Sequence, residues 1–188
     1  MAQNQKARET AAIILQAMKD RRSIRNYTGE PVAKEDLDLI VEAGLTSASG
    51  HAEYPWKIFA VQDMELIHKL VGVRQGAANM LNNAGAAIVV TADENISTWI
   101  EDCSIVLTNI HLLADAMGYG SCWIQGRSRE AADGGSADAF VRTLIDLPEN
   151  FQLEAILAIG IPEKEKTADD AARQAKRAGF AKEKVTYL

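Results

Sequence analysis

The chain is poor in several features that would otherwise announce a function. Only two cysteines, Cys103 and Cys122, occur in 188 residues, far apart and without C-x-x-C or metal-ligand spacing. A disulfide framework and a zinc site are therefore not expected, and both cysteines read as reduced core residues of a cytoplasmic protein. Positive charge is in deficit, with 20 Lys and Arg against 26 Asp and Glu and a net charge of −6. That balance argues against a nucleic-acid or anionic-membrane surface, both of which need broad positive potential. No run is long and apolar enough to span a bilayer, and the apolar stretch from Ala11 to Leu15 is broken at Gln16, too early for a secretory signal. The signatures G-x-x-x-x-G-K-[ST], G-x-S-x-G and H-E-x-x-H are all missing. Gly118, Tyr119 and Gly120 begin a dinucleotide fingerprint, but Trp123 replaces its third glycine and the motif follows a helix, so a Rossmann site is not expected. His51, His68 and His111 have no carboxylate or thiol at ligand spacing and read as structural or surface residues, His51 being the most open case because it sits in a polar loop. No metal site and no acid–base constellation emerge.

What the chain does have is a basic knot, Lys19 to Tyr27, carrying four basic residues and one acid. Arg21, Arg22 and Arg25 fall within five positions, and a guanidinium fork fits phosphate bidentately. In an extended chain Arg21, Ser23 and Arg25 share a face, two forks flanking a hydroxyl, while Arg22 points elsewhere. Two readings stand at this point: a bound phosphate or other oxyanion, or solvated cations complementing a helix C-terminus.

The chain around the knot reads as one domain, 47% hydrophobic and able to bury a sizeable core. Ala11, Ile14, Leu15 and Met18 recur at helical spacing from about Arg8 to Asp20. A turn at Thr28–Pro31 precedes a helix from about Ala33 to Thr46, with Glu35 and Asp36 in its first turn. The small polar stretch Ser47 to Tyr54 leads into a strand from Pro55 to Val61. A short helix follows around Leu66 to Val71, with a weaker one over Gln75 to Asn82. Ala86 to Ala92 is an unalternating apolar run, as expected of a central strand covered on both faces. The longest helix is expected over Ser97 to Met117. Its polar residues Glu101, Ser104, Thr108, His111 and Asp115 form one narrow stripe, so that a second subunit is inferred to cover part of its apolar surface. Further strands are expected at Ser121–Ile124 and Leu153–Ile161, a helix over Ala137–Ile145, and a helical patch over Asp169–Ala178 before the terminal Val185, Thr186 and Tyr187.

The order of these features resembles the FMN-dependent nitroreductase family: an arginine cluster, a helix, a Ser/Gly loop entering a Pro-Trp strand, and a long buried helix running into Gly-Tyr-Gly-Ser-Cys-Trp. Leu147-Pro148-Glu149 then stands ahead of Ala158-Ile159-Gly160-Ile161-Pro162. The resemblance covers about residues 9 to 165, with a weaker echo at Lys184–Tyr187. It implies an α+β fold with a central mixed or antiparallel sheet flanked by helices, a single domain with its core at about 9–165, and a C-terminal extension at 166–188 that reaches over the partner subunit of a homodimer. It implies FMN at the subunit interface, held by Arg21, Arg22, Ser23 and Arg25 from one side. The loop Ser47, Ala48, Ser49, Gly50 and His51 would come from the partner, and the strand end Cys122, Trp123, Ile124, Gln125 and Gly126 would approach the isoalloxazine. Lys164 or Lys166 would be the C-terminal cation for the phosphate. The implied activity is transfer of electrons from NAD(P)H to nitroaromatics, quinones or similar acceptors by a ping-pong mechanism, with other FMN chemistry or non-catalytic flavin binding as the rivals. Two positions depart from the family pattern, Ala52 standing where Asn is usual and Tyr54 where Gln is usual.

Overall fold

A computed structural model describes residues 2–165, 167, 172, 176 and 184–187, with side chains from residue 4. Lys166 and most of the expected helical patch over 169–178 lie outside the described residues. Four strands form one antiparallel sheet in the order β1-β2-β4-β3, with β1 at Trp56–Val61, β2 at Ala86–Asp93, β3 at Gly120–Gln125 and β4 at Phe151–Gly160. The unalternating apolar run is β2, and its central place explains its composition. Alternate residues of a strand point to opposite faces, so Ala87 and Val89 enter one core while Ile88 and Val90 enter the other. Both faces are covered, and polar residues have no place there.

On one face α2 (Lys34–Leu45) and α4 (Trp99–Ala116) pack Leu37, Ile40, Cys103, Val106, Leu107 and Ile110 against Ile88, Leu157 and Ile159. On the other, α3 (Met64–Leu70), α5 (Ala137–Arg142) and two short 3₁₀ turns at Val71–Val73 and Asn79–Asn83 bring Ile67, Leu70, Leu81 and Val141 to Val89 and Ile156. The expected helix over Gln75–Asn82 is thus only a 3₁₀ turn: Gly76 at φ +69° breaks the helical path, as its glycine permits. Helix α3 starts where Asp63 accepts from the backbone N–H groups of Glu65 and Leu66, an N-cap.

The N-terminal helix α1 runs from Ala2 to Asp20, longer than its apolar periodicity indicated. Its apolar residues Ile13, Ile14, Leu15 and Met18 are about half or more exposed within the subunit. The polar stripe of α4 also differs from expectation. Glu101 and Thr108 are exposed, but His111 and Asp115 are buried, because the helix turns that end of the stripe under β3 and leaves Ile105 on the outside. The stripe is therefore part solvent face and part internal polar contact. Among the described residues no helix is long and apolar enough to cross a membrane.

Candidate active site

The basic knot is laid against the sheet. After α1 ends at Asp20 the chain becomes extended, and Ser23 bridges Ser121 in parallel, with the Ile24 N–H donating to the Ser121 carbonyl at 2.9 Å. Farther on, the Thr28 N–H donates to the Ile161 carbonyl and the Glu163 N–H to the Asn26 carbonyl. Two glycines of the sequence motifs make this approach possible. A Cβ on Gly120 would lie 2.7 Å from Ile24, and one on Gly160 would lie 2.9 Å from Tyr27, closer than real contacts allow. Tyr27 locks the segment from beneath: it is 3% exposed, and its hydroxyl donates to the Ile24 carbonyl at 2.6 Å. Burial holds that phenol far above its ordinary pKa.

The three arginines then diverge. Arg21 Nη1 meets His111 Nε2 at 2.6 Å, and the other ring nitrogen, Nδ1, bonds the Ser121 hydroxyl. Burial, aided by the Arg21 charge, lowers the His111 pKa to about 4, so the ring is neutral at pH 7. A neutral imidazole has one acceptor nitrogen. With the guanidinium as obligate donor, Nε2 accepts and Nδ1 carries the proton. Position 111 is 90 residues from Arg21 in sequence, and no local pattern could have paired them. Arg22 is half-buried, while Ser23 and Arg25 are exposed.

Arg25 opens onto a groove of about 980 Å³ along the outer edge of β3, within the ~300–1,000 Å³ usual for small-molecule clefts. Its floor is Cys122, Trp123, Ile124 and Gln125, and its walls include Arg74, Met80, Asn79, Arg127 and Arg129. Among the described residues no carboxylate lines it. The Ser121 carbonyl points to this edge, and so does that of Gln125, which accepts from Arg74 Nη1 at 3.1 Å. Strand alternation therefore aims the backbone of Trp123 the same way, toward the groove. Behind the strand, Trp123 Nε1 donates to Gln125 Oε1 at 2.8 Å, and the Gln125 amide nitrogen lies 3.2 Å from Glu154 Oε1. The buried Glu154 also takes Arg127 Nε at 2.8 Å. Cys122 is 1% exposed and burial pushes its thiol up, although Arg25 draws it back, so it serves as floor and not as nucleophile.

The loop Ser47–His51 lies elsewhere, at the start of β1, and contributes nothing to this subunit's groove. Helix α4 fixes it: Asp102, 2% exposed, accepts from Ser49 Oγ at 2.8 Å, the Gly50 N–H at 3.0 Å and Thr98 Oγ1 at 3.1 Å, and Asn109 donates to Ser47 Oγ at 2.9 Å. His51, Ala52 and Tyr54 all have positive φ, between 47° and 57°. Three L residues held in the left-handed region within four positions store backbone strain that the surrounding structure must over-determine. Ala52 takes this conformation without the side-chain hydrogen bonding that eases it for Asn. Lys164 is exposed on the segment after β4. His111, read from sequence as structural or surface, is the partner of Arg21, and Arg74, Arg127, Arg129 and Asp102 were not singled out by sequence. Each arginine is isolated from the basic knot along the chain, and only folding brings them to one edge.

A family model described as the nitroreductase family matches residues 18–73 and 68–161. The chain belongs to the nitroreductase family. An FMN-dependent nitroreductase of Clostridium difficile is 40% identical in sequence and superposes with a TM-score of 0.77 over 81% of this chain and 89% of its own. A nitroreductase of Bacteroides fragilis solved with bound FMN is 26% identical, with a TM-score of 0.67 over 82% of this chain and 94% of its own. An Archaeoglobus fulgidus protein, provisionally named an NADH dehydrogenase/NAD(P)H nitroreductase, is 35% identical over 80% of this chain and 87% of its own length.

Proposed function

We propose that the protein is an FMN-dependent oxidoreductase in which NAD(P)H and then a nitroaromatic, quinone or similar acceptor use the groove beside β3 in turn. The observation that carries this is the groove itself: an exposed strand edge offering backbone donors, flanked by arginines and, among the described residues, free of lining carboxylates. That donor set suits a planar heterocycle with a polar rim and a phosphate tail. Bound FMN supplies the electron transfer, and the protein need only bind, orient and polarise. Arg25 and Ser23 reach the phosphate from the extended segment, with Arg21 oriented behind them by His111. The Trp123 backbone meets the heterocycle's edge. The relatives' names support the nicotinamide donor, and the two free, buried cysteines suit the cytoplasm.

The site is completed by a second copy of the chain in this reading. Within one subunit the constrained loop at Ser47–His51 does not line the groove, and α1 leaves Ile13, Ile14, Leu15 and Met18 open. A homodimer brings the partner's loop over the flavin and covers those side chains, with the whole chain acting as one domain. Titration of apo-protein with FMN tests the assignment. A charge-assisted bond to phosphate is worth roughly 1.5 to 3 kcal/mol, so Arg25→Ala should weaken FMN by about one to two decades. Unchanged affinity in both Arg25→Ala and Arg21→Ala would remove the phosphate site from this segment.

A further inference from the structure

The groove holds more positive charge than one phosphate monoester can use. Arg25, Arg74, Arg127 and Arg129 line it, and the buried Glu154 behind it offsets one of the four. A phosphate monoester brings roughly 1.5 to 2 negative charges at pH 7, so positive charge remains. The cations are also divided in space. Arg25 stands at the Cys122 end of β3, where its charge acts on the thiol. Arg74 is bonded to the Gln125 carbonyl at the other end, and Arg127 and Arg129 follow directly after Gly126. Three strand steps separate Cys122 from Gln125, about 10 Å. A phosphate held at Arg25 is therefore not the partner of the second group.

That second group rests on fixed backbone. The N–H groups of Gly126 and Arg127 both donate to the Glu154 carbonyl, at 3.0 and 2.9 Å, and the Arg129 N–H donates to the Gly126 carbonyl at 3.1 Å, closing a turn through Ser128 at φ +55°. Arg127 spends its Nε on Glu154, and its side chain stays 40% exposed.

We infer that the Arg74–Arg127–Arg129 end of the groove selects a second substrate carrying its own anionic group, whether a carboxylate on the acceptor or the 2′-phosphate of the reduced nicotinamide. The inference rests on the FMN reading above. With FMN-loaded protein, kcat/KM for 4-nitrobenzoate relative to 4-nitrobenzamide, and for NADPH relative to NADH, should each be compared in wild type, Arg129→Glu and Arg74→Gln. Calorimetry with benzoate and benzamide adds a binding readout that needs no turnover. The Arg129 side chain bonds only the neighbouring Ser128 carbonyl, and the residue's link to α5 runs through its own backbone carbonyl, so its charge reversal should fold. At least one of these two ratios should exceed one in wild type and fall about tenfold in Arg129→Glu. A change confined to the first pair names the acceptor as the anion's source, and one confined to the second names the nicotinamide. Ratios that stay the same in both variants while the protein remains flavin-loaded would overturn this inference alone. A protein that takes up no FMN would overturn the functional reading along with it.

Discussion

At the scale of single residues, the site depends on side chains whose partners are remote in sequence. Arg21 was legible as a phosphate candidate from its neighbours, because three arginines in five positions form a local pattern. What orients it was not legible, since His111 sits on α4 and reads there as one member of a polar stripe. The same holds for Glu154, which is hidden among apolar residues of β4 yet anchors Arg127. His111 gives a prediction with a defined sign. Its folded pKa, about 4, lies below the ordinary value of 6.5, so between those values the unfolded chain binds the proton and the folded one resists it. Stability from this group is whole above pH 6.5 and is lost as the pH falls toward 4. Between pH 7 and pH 5 the wild type should lose about 2 kcal/mol more than His111→Gln. Urea denaturation of both proteins at the two pH values and one protein concentration measures it; equal losses would mean that the imidazole is not buried against Arg21.

At the scale of elements, strand and helix identities were readable because burial imposes period. The central β2 was evident as an apolar run, and α4 as the long helix ahead of Gly118. The sequence could not reveal that the basic knot would add itself to the edge of β3. That pairing rests on space left by Gly120 and Gly160 and on Tyr27 beneath, all of them long-range facts. The Ser47–His51 loop is a second case. Its small polar residues marked it as irregular, but its rigidity comes from Asp102 of α4. Asp102→Ala would leave the Ser49 hydroxyl, the Gly50 N–H and the Thr98 hydroxyl without their acceptor in a part-buried place. We expect a loss of about 2 to 4 kcal/mol and faster proteolysis between residues 47 and 54. Asp102→Asn keeps an acceptor oxygen and should recover part of the loss. A loop no more protease-sensitive in Asp102→Ala than in wild type would show that α4 does not hold it.

At the scale of the whole molecule, the apolar face of α1 and the separation of loop from groove point the same way. An assembly built on them should bury upward of ~2,000 Å² and leave no stable monomer. Leu107 is fully buried on α4, so Leu107→Asp should cost several kcal/mol and abolish folding. The informative surface change is instead Leu15→Asp on α1, where the side chain is 51% exposed in the subunit. If the proposed homodimer forms through this face, the change should dissociate it and lower FMN affinity together. Sedimentation at falling micromolar concentration, followed with flavin absorbance, decides this; a folded wild-type monomer that keeps its flavin would refute the shared site.

In the proposed function, this arginine-lined edge of β3 binds FMN and passes electrons through it. That function is tested most directly by the visible spectrum of the purified protein under anaerobic conditions. A flavin band should bleach when NADH or NADPH is added and return when a nitroaromatic or quinone follows, each half-reaction completing without the other substrate present. A protein that remains colourless after incubation with FMN, or a flavin band that neither nicotinamide bleaches, would contradict it.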